Sequence, residues 1–89
     1  MAELPEEVVL LPHARAQIRE RRLDESDVFL ALREPDQVVP SGSRMVAQKV
    51  ITIRDKQYLL RVVVEAGENT TTVVTVYATS RIAKYRRKP

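Results

Sequence analysis

Hydrophobic and polar positions change their spacing near the middle of the chain. Before Pro40 the apolar residues recur at helical intervals; after it they alternate, as strands do. Val8-Val9-Leu10-Leu11 is a short apolar run that reads either as a strand or as a staple for the following helix. Pro12 suits the first turn of a helix, where its missing N–H costs nothing. From His13 to about Leu23 nothing breaks a helix. Leu11, Ala14, Ile18 and Arg22 fall along one stripe, with Arg15 and Arg19 beside it. Asp24-Glu25-Ser26-Asp27 predicts the N-cap of a second helix, with acids at its positive end. Val28, Phe29, Ala31 and Leu32 form its core face, and Pro35 ends it by forcing Glu34 out of helical geometry.

Beyond Pro40, Ser41-Gly42-Ser43 is a turn and Arg44 to Arg54 reads as a strand. Asp55-Lys56 is the expected hairpin turn. Gln57 to Glu65 alternates Tyr58, Leu60, Val62 and Val64 against Leu59, Arg61, Val63 and Glu65. Ala66-Gly67-Glu68-Asn69 turns the chain again. Thr70 to Thr79 sets Val74, Val76 and Ala78 against Val73, Thr75, Tyr77 and Thr79. Val38-Val39 offers a short edge strand, and Arg81 to Lys88 reads as a helical turn, an edge strand or a tail. Helices followed by strands imply an α+β domain, with two N-terminal helices on one face of a three- to four-stranded antiparallel sheet. The other face, carrying Arg61, Thr75, Tyr77 and Thr79, is expected to stay wet. One domain spans residues 1–89, with a loose lead-in at 1–7 and a basic tail at 86–89.

Composition narrows the chemistry. No cysteine is present, which excludes thiolate chemistry, and a single histidine disfavours a protein-only zinc site. Scattered carboxylates offer no calcium-loop spacing, so no metal and no cofactor is expected. No apolar run approaches the roughly 20 residues needed to span a bilayer, and the acidic start is unlike a secretory signal. The expected address is the cytoplasm. Charge is divided: residues 1–40 carry nine acidic and five basic side chains, whereas residues 41–89 carry three and ten. The last nine residues hold five cations and no anion, a cluster that attracts polyanions.

Three groups of residues bear on function. His13 opens the first helix, where an imidazole can carry protons near neutral pH, and Arg15 and Arg19 stand one turn apart on a shared side. Thr75, Tyr77 and Thr79 align hydroxyls on one face of the last strong strand. Arg81, Lys84, Tyr85, Arg86 and Arg87 mix cations with an aromatic ring, which suits phosphates and bases. Taken singly, each has a bland reading: a capping histidine, ordinary strand formers, a solvated tail. Together they supply what RNA cleavage without metal needs: a proton acceptor, a proton donor and fixed cations for the phosphorane charge. His13 serves as base or acid. Arg15, Arg19, Arg61 and Lys84 are the clamp candidates, and Tyr77, Tyr85 and Thr79 position substrate.

The order of sequence blocks resembles the bacterial family catalogued as domain of unknown function 4258. The matching text is Leu11-Pro12-His13-Ala14-Arg15, Arg19 to Leu23, Asp27-Val28 through Leu32 and Pro35, Tyr58 to Val64, Val74 to Ser80, and Lys84-Tyr85. Pro12 stands where the family usually has threonine, and Pro40 to Lys56 carries no matching pattern. The family is similar to the superfamily of toxin ribonucleases that includes colicin D and RelE-type domains. That resemblance implies helices followed by a four-stranded antiparallel sheet. It also implies an RNA-cleaving site with His13 and Arg15 on the helix and Tyr77, Thr79, Lys84 and Tyr85 from the C-terminal part. The implied function is a metal-independent endoribonuclease, the toxin of a toxin–antitoxin pair, with RNA as substrate and a cognate antitoxin as partner. Two alternatives remain: a nucleic-acid-binding module without catalysis, and a protein-interaction domain, such as a homodimer joined through an exposed strand edge.

Overall fold

The computed structural model describes residues 7–85. Along the chain come β1 (Glu7–Leu10), α1 (Pro12–Glu20), α2 (Glu25–Arg33), β2 (Gln37–Ser41), β3 (Arg44–Ile53), β4 (Lys56–Ala66), β5 (Thr70–Thr79) and a short α3 (Ile82–Tyr85). The strands form one sheet in the order β1-β5-β4-β3-β2. The class is α+β, but the sheet has five strands rather than three or four and is mixed. β1 pairs in parallel with β5, while the other pairs are antiparallel. Both short apolar runs left open by the sequence are strands: Val8 to Leu10 belongs to β1 and Val38-Val39 to β2. The lead-in expected at 1–7 reaches the described residues only at Glu7, which is already in β1. The tail expected at 86–89 lies outside them.

Local chemistry accounts for the boundaries. Pro12 opens α1, and Arg22 closes it at φ 54, so that Leu23 N–H donates to the Ile18 carbonyl at 2.8 Å. The Asp24 carboxylate caps α2 by accepting from Ser26 N–H at 3.0 Å. Those hydrogen bonds from the Ser26 amide and hydroxyl hold the Asp24 carboxyl below its ordinary pKa. Gly42 takes φ 61 in the two-residue turn between Ser41 and Arg44. The β3–β4 turn is Arg54-Asp55 rather than Asp55-Lys56, since Ile53 pairs with Lys56 and both turn residues have positive φ (50 and 66).

Helix α1 extends the line of β1 along the edge of β5. Leu11 N–H donates to the Val73 carbonyl, and the Gln17 side-chain oxygen accepts from Val76 N–H at 2.8 Å. Gln17 thus satisfies a strand-edge donor beyond the end of β1. The main core lies between the helices and the sheet. Ala14 and Ile18 of α1 and Val28 and Ala31 of α2 meet Leu60, Val62 and Val76 there. Leu11, expected on the α1 stripe, is instead 37% exposed.

The last strand departs from simple alternation. Val63 stands opposite Thr75 but Val64 opposite Val73, so Val74 is the extra residue of a β-bulge. The bulge lets Val73 and Val76 both enter the helix-side core, where strict alternation would have placed Val74. Beyond it, Thr75, Tyr77 and Thr79 share the opposite face. That face is not simply wet: Val46, Gln48 and Leu59 on it are buried, Val39 beside Val46 is buried too, and Arg61 is half-buried.

Candidate nucleic-acid interface

The register of the sheet builds a polar row across the face turned away from α1 and α2. Gln37 of β2 stands opposite Gln48 of β3, Gln48 opposite Arg61 of β4, and Arg61 opposite Tyr77 of β5. Gln48 is fully buried, and its amide is engaged at both ends. Its Nε2 donates to Gln37 Oε1 at 3.2 Å and to the Tyr85 carbonyl at 3.4 Å, while its Oε1 accepts from Arg61 Nε at 2.7 Å. A buried amide left without partners would be costly, so these bonds are what makes Gln48 tolerable among valines.

Arg61 continues the row. One terminal guanidinium nitrogen donates to the Tyr77 hydroxyl. Its Cζ lies 4.4 Å from the centre of the Tyr85 ring and 5.5 Å from that of Tyr77. Lys84 Nζ lies 5.3 Å from the Tyr85 ring centre. Both distances to Tyr85 fall within cation–π reach. The short α3 thus brings its ring over the sheet, and the row fixes a half-buried cation in one orientation with little freedom left to lose on binding an anion.

The sequence-derived candidates divide into three sets. Arg61, Tyr77, Lys84 and Tyr85 come together. Thr79 lies on the same face, opposite Leu59, and its hydroxyl accepts from Arg81 N–H at 3.1 Å, which turns the chain into α3. Arg81 is exposed beside them. Arg15 and Arg19 point elsewhere: Arg15 reaches Glu25 of α2 at 3.6 Å, and both arginines line a concavity of about 520 Å³ between the helices. His13 is exposed in the first turn of α1, on the side it shares with Gln17 one turn later and therefore toward the edge of β5. Among the described residues the His13 side chain makes no hydrogen bond or ion pair. Arg86 and Arg87 lie outside the described residues.

Gln48 is the member of the row that sequence reasoning missed. It lies in the segment that carried no family pattern, and its only local signal is a lone amide at an inward strand position. Among the described residues no cluster of His, Asp and Glu could hold a metal ion, and no helix is long and apolar enough to cross a membrane.

A family model described as a domain of unknown function, DUF4258, matches residues 10–78. No curated protein and no solved structure matches the chain.

Proposed function

We propose that this chain, which belongs to the DUF4258 family, binds RNA on the sheet face under α3 and cleaves it without a metal ion. The observation that carries the reading is the fixed Arg61, held by Gln48 and Tyr77 and stacked near Tyr85. An arginine fork suits phosphate oxygens, and an aromatic ring beside it suits a splayed base. Thr75 and Thr79 add hydroxyls on the same face, and Lys84 and Arg81 add charge at its rim. The reading takes two helices packed on one face of a sheet as the arrangement of colicin D and RelE-type ribonucleases. It also takes the chain for a cytoplasmic toxin with a cognate antitoxin.

In this reaction the 2′-oxygen attacks the adjacent phosphorus as His13 removes its proton. The 5′-oxygen departs with a proton supplied by Lys84, which regains one from solvent. The products are a 2′,3′-cyclic phosphate and a 5′-hydroxyl. The step requires His13, toward the edge of β5, and the Arg61–Tyr77 pair to reach the same phosphodiester, where the pair stabilises charge that develops on the non-bridging oxygens. Arg15, paired with Glu25 on the α2 side, takes no part.

A second reading, binding without cleavage, is favoured by the internal engagement of Arg61 and by the separation of His13 from the row. One assay separates the two. Purified full-length chain is incubated with single-stranded RNA in EDTA, and the product ends are identified. Cleavage with cyclic phosphate ends is expected, with a loss of about 10²–10⁴-fold in His13→Ala. Intact RNA in the presence of folded, RNA-binding protein would leave only the second reading.

A further inference from the structure

A second concentration of cations stands on the helix-bearing side of the sheet, where the β3–β4 hairpin approaches the turn between α1 and α2. A cavity of about 460 Å³ opens there. Its rim carries Arg21 and Arg22 from the helix turn and Arg54 and Lys56 from the hairpin. Its floor is apolar and aromatic: Leu23, Ile53, Tyr58 and Ala78, all partly buried and packed against the main core. Among the described residues no acidic side chain lines it; Asp55, at the tip of the hairpin, is not part of the wall.

The rim cations differ from several others on this molecule. Arg15, Arg33, Arg44 and Lys49 each have a carboxylate within 4 Å. Among the described residues none of the four rim cations makes an ion pair. Arg22 and Arg54 also hold positive φ (54 and 50) at positions that would suit glycine or asparagine. Four exposed cations around one mouth repel one another, and an anion seated there removes that repulsion.

We propose that this cavity binds one nucleoside phosphate unit of a single-stranded nucleic acid, with the base on the Tyr58 floor and the phosphate on the arginine rim. The floor decides the class of ligand. Inorganic phosphate would leave it empty, and an aspartate or glutamate side chain is too short and lacks a ring to fill it. A nucleotide supplies a flat ring and a phosphate in one unit, and guanidinium groups serve both. A volume of this size also falls within the ordinary range of small-molecule sites, roughly 300–1,000 Å³. The site goes beyond the cleavage reading and shares no side chain with it.

The test is amide NMR on the full chain, titrated at constant ionic strength with adenosine 5′-monophosphate, inorganic phosphate and a hexaglutamate peptide in turn. The nucleotide is expected to shift Leu23, Ile53, Tyr58 and Ala78 saturably. It should bind about tenfold more tightly than inorganic phosphate, the effect of one stacked base. The double variant Arg21→Ala/Lys56→Ala should weaken both anions, and Tyr58→Leu should erase the preference for the nucleotide. Absence of saturable shifts, equal binding of nucleotide and phosphate, tighter binding of hexaglutamate, or unchanged affinity in the folded double variant would each overturn the site. A chain that binds the nucleotide here yet leaves RNA intact upholds this site and refutes only the cleavage. Cleavage without nucleotide shifts does the reverse.

Discussion

Leu59 and Leu60 are neighbours on β4, and both are fully buried, yet they belong to different halves of the molecule. Leu60 joins the large cluster beneath α1 and α2, where apolar side chains meet from both helices and from β1, β3, β4 and β5. Leu59 lies on the opposite face, outside that cluster, beside a row of amides, a guanidinium and phenols. The first half is held by non-directional burial, and any apolar residue of similar volume would serve it. The second is held by donors and acceptors that must meet at fixed angles. Only the second kind of surface presents oriented groups to a ligand.

The comparison breaks most visibly in the apolar half. Leu60→Ala should cost about 2–5 kcal/mol, the usual penalty for a cavity in a packed core. Urea unfolding would read it as a lower midpoint, and a cost below that range would mean the core is loosely packed. In the polar half, Arg61→Met removes the partner of the Gln48 side-chain oxygen, and stranding a buried acceptor costs about 1–3 kcal/mol. The double variant Gln48→Leu/Arg61→Met should recover part of that loss, because it removes the stranded acceptor, although the Gln37 side-chain oxygen and the Tyr85 carbonyl then lose the donor that Gln48 supplied. Additive losses would show that the two residues act independently. At the sheet edge, Gln17→Ala should cost about 1 kcal/mol and speed hydrogen exchange at the Val76 amide, which loses its acceptor.

The smallest effect is a titration. Asp24 is held in its charged form by the Ser26 amide and hydroxyl, so its folded pKa lies below the unfolded one. Its contribution to α2 is therefore present above the unfolded aspartate pKa and disappears as the pH falls through the lower folded value. The Asp24 side-chain carbon resonance should titrate with a midpoint below that of an ordinary aspartate. A midpoint at the ordinary value would remove the cap from the description of α2.

How much of this was legible depends on how local each signal is. β3, β4 and β5 announce themselves through β-branched alternation, and α2 through its acidic cap and the proline behind it. The parallel β1–β5 pair joins the two ends of the fold, and no local residue pattern signals such a contact. The polar row was hidden by register. A turn at Asp55-Lys56 would set Gln48 opposite Val63, whereas the actual turn at Arg54-Asp55 sets it opposite Arg61. Arg61, Tyr77 and Tyr85 could each be chosen from the sequence, but their meeting point could not. The bulge at Val74 reversed the expected facing of Val73 for the same reason, since one extra residue in a strand leaves no mark on composition. The basic cavity joins Arg21, Arg54 and Tyr58 from distant segments, and in the sequence its arginines look like ordinary solvated charge.

The role assigned to the polar row can be tested in one titration. Fluorescence anisotropy of a labelled single-stranded RNA, in EDTA and at fixed salt, is measured with the wild-type chain, with Arg61→Gln and with Arg33→Gln, a cation on α2 outside the row. Arg61→Gln should weaken binding by about tenfold or more, the effect of roughly 1.4 kcal/mol, while Arg33→Gln changes it little. Equal affinity of a folded Arg61→Gln chain and the wild type would mean that the row serves only to hold the sheet together.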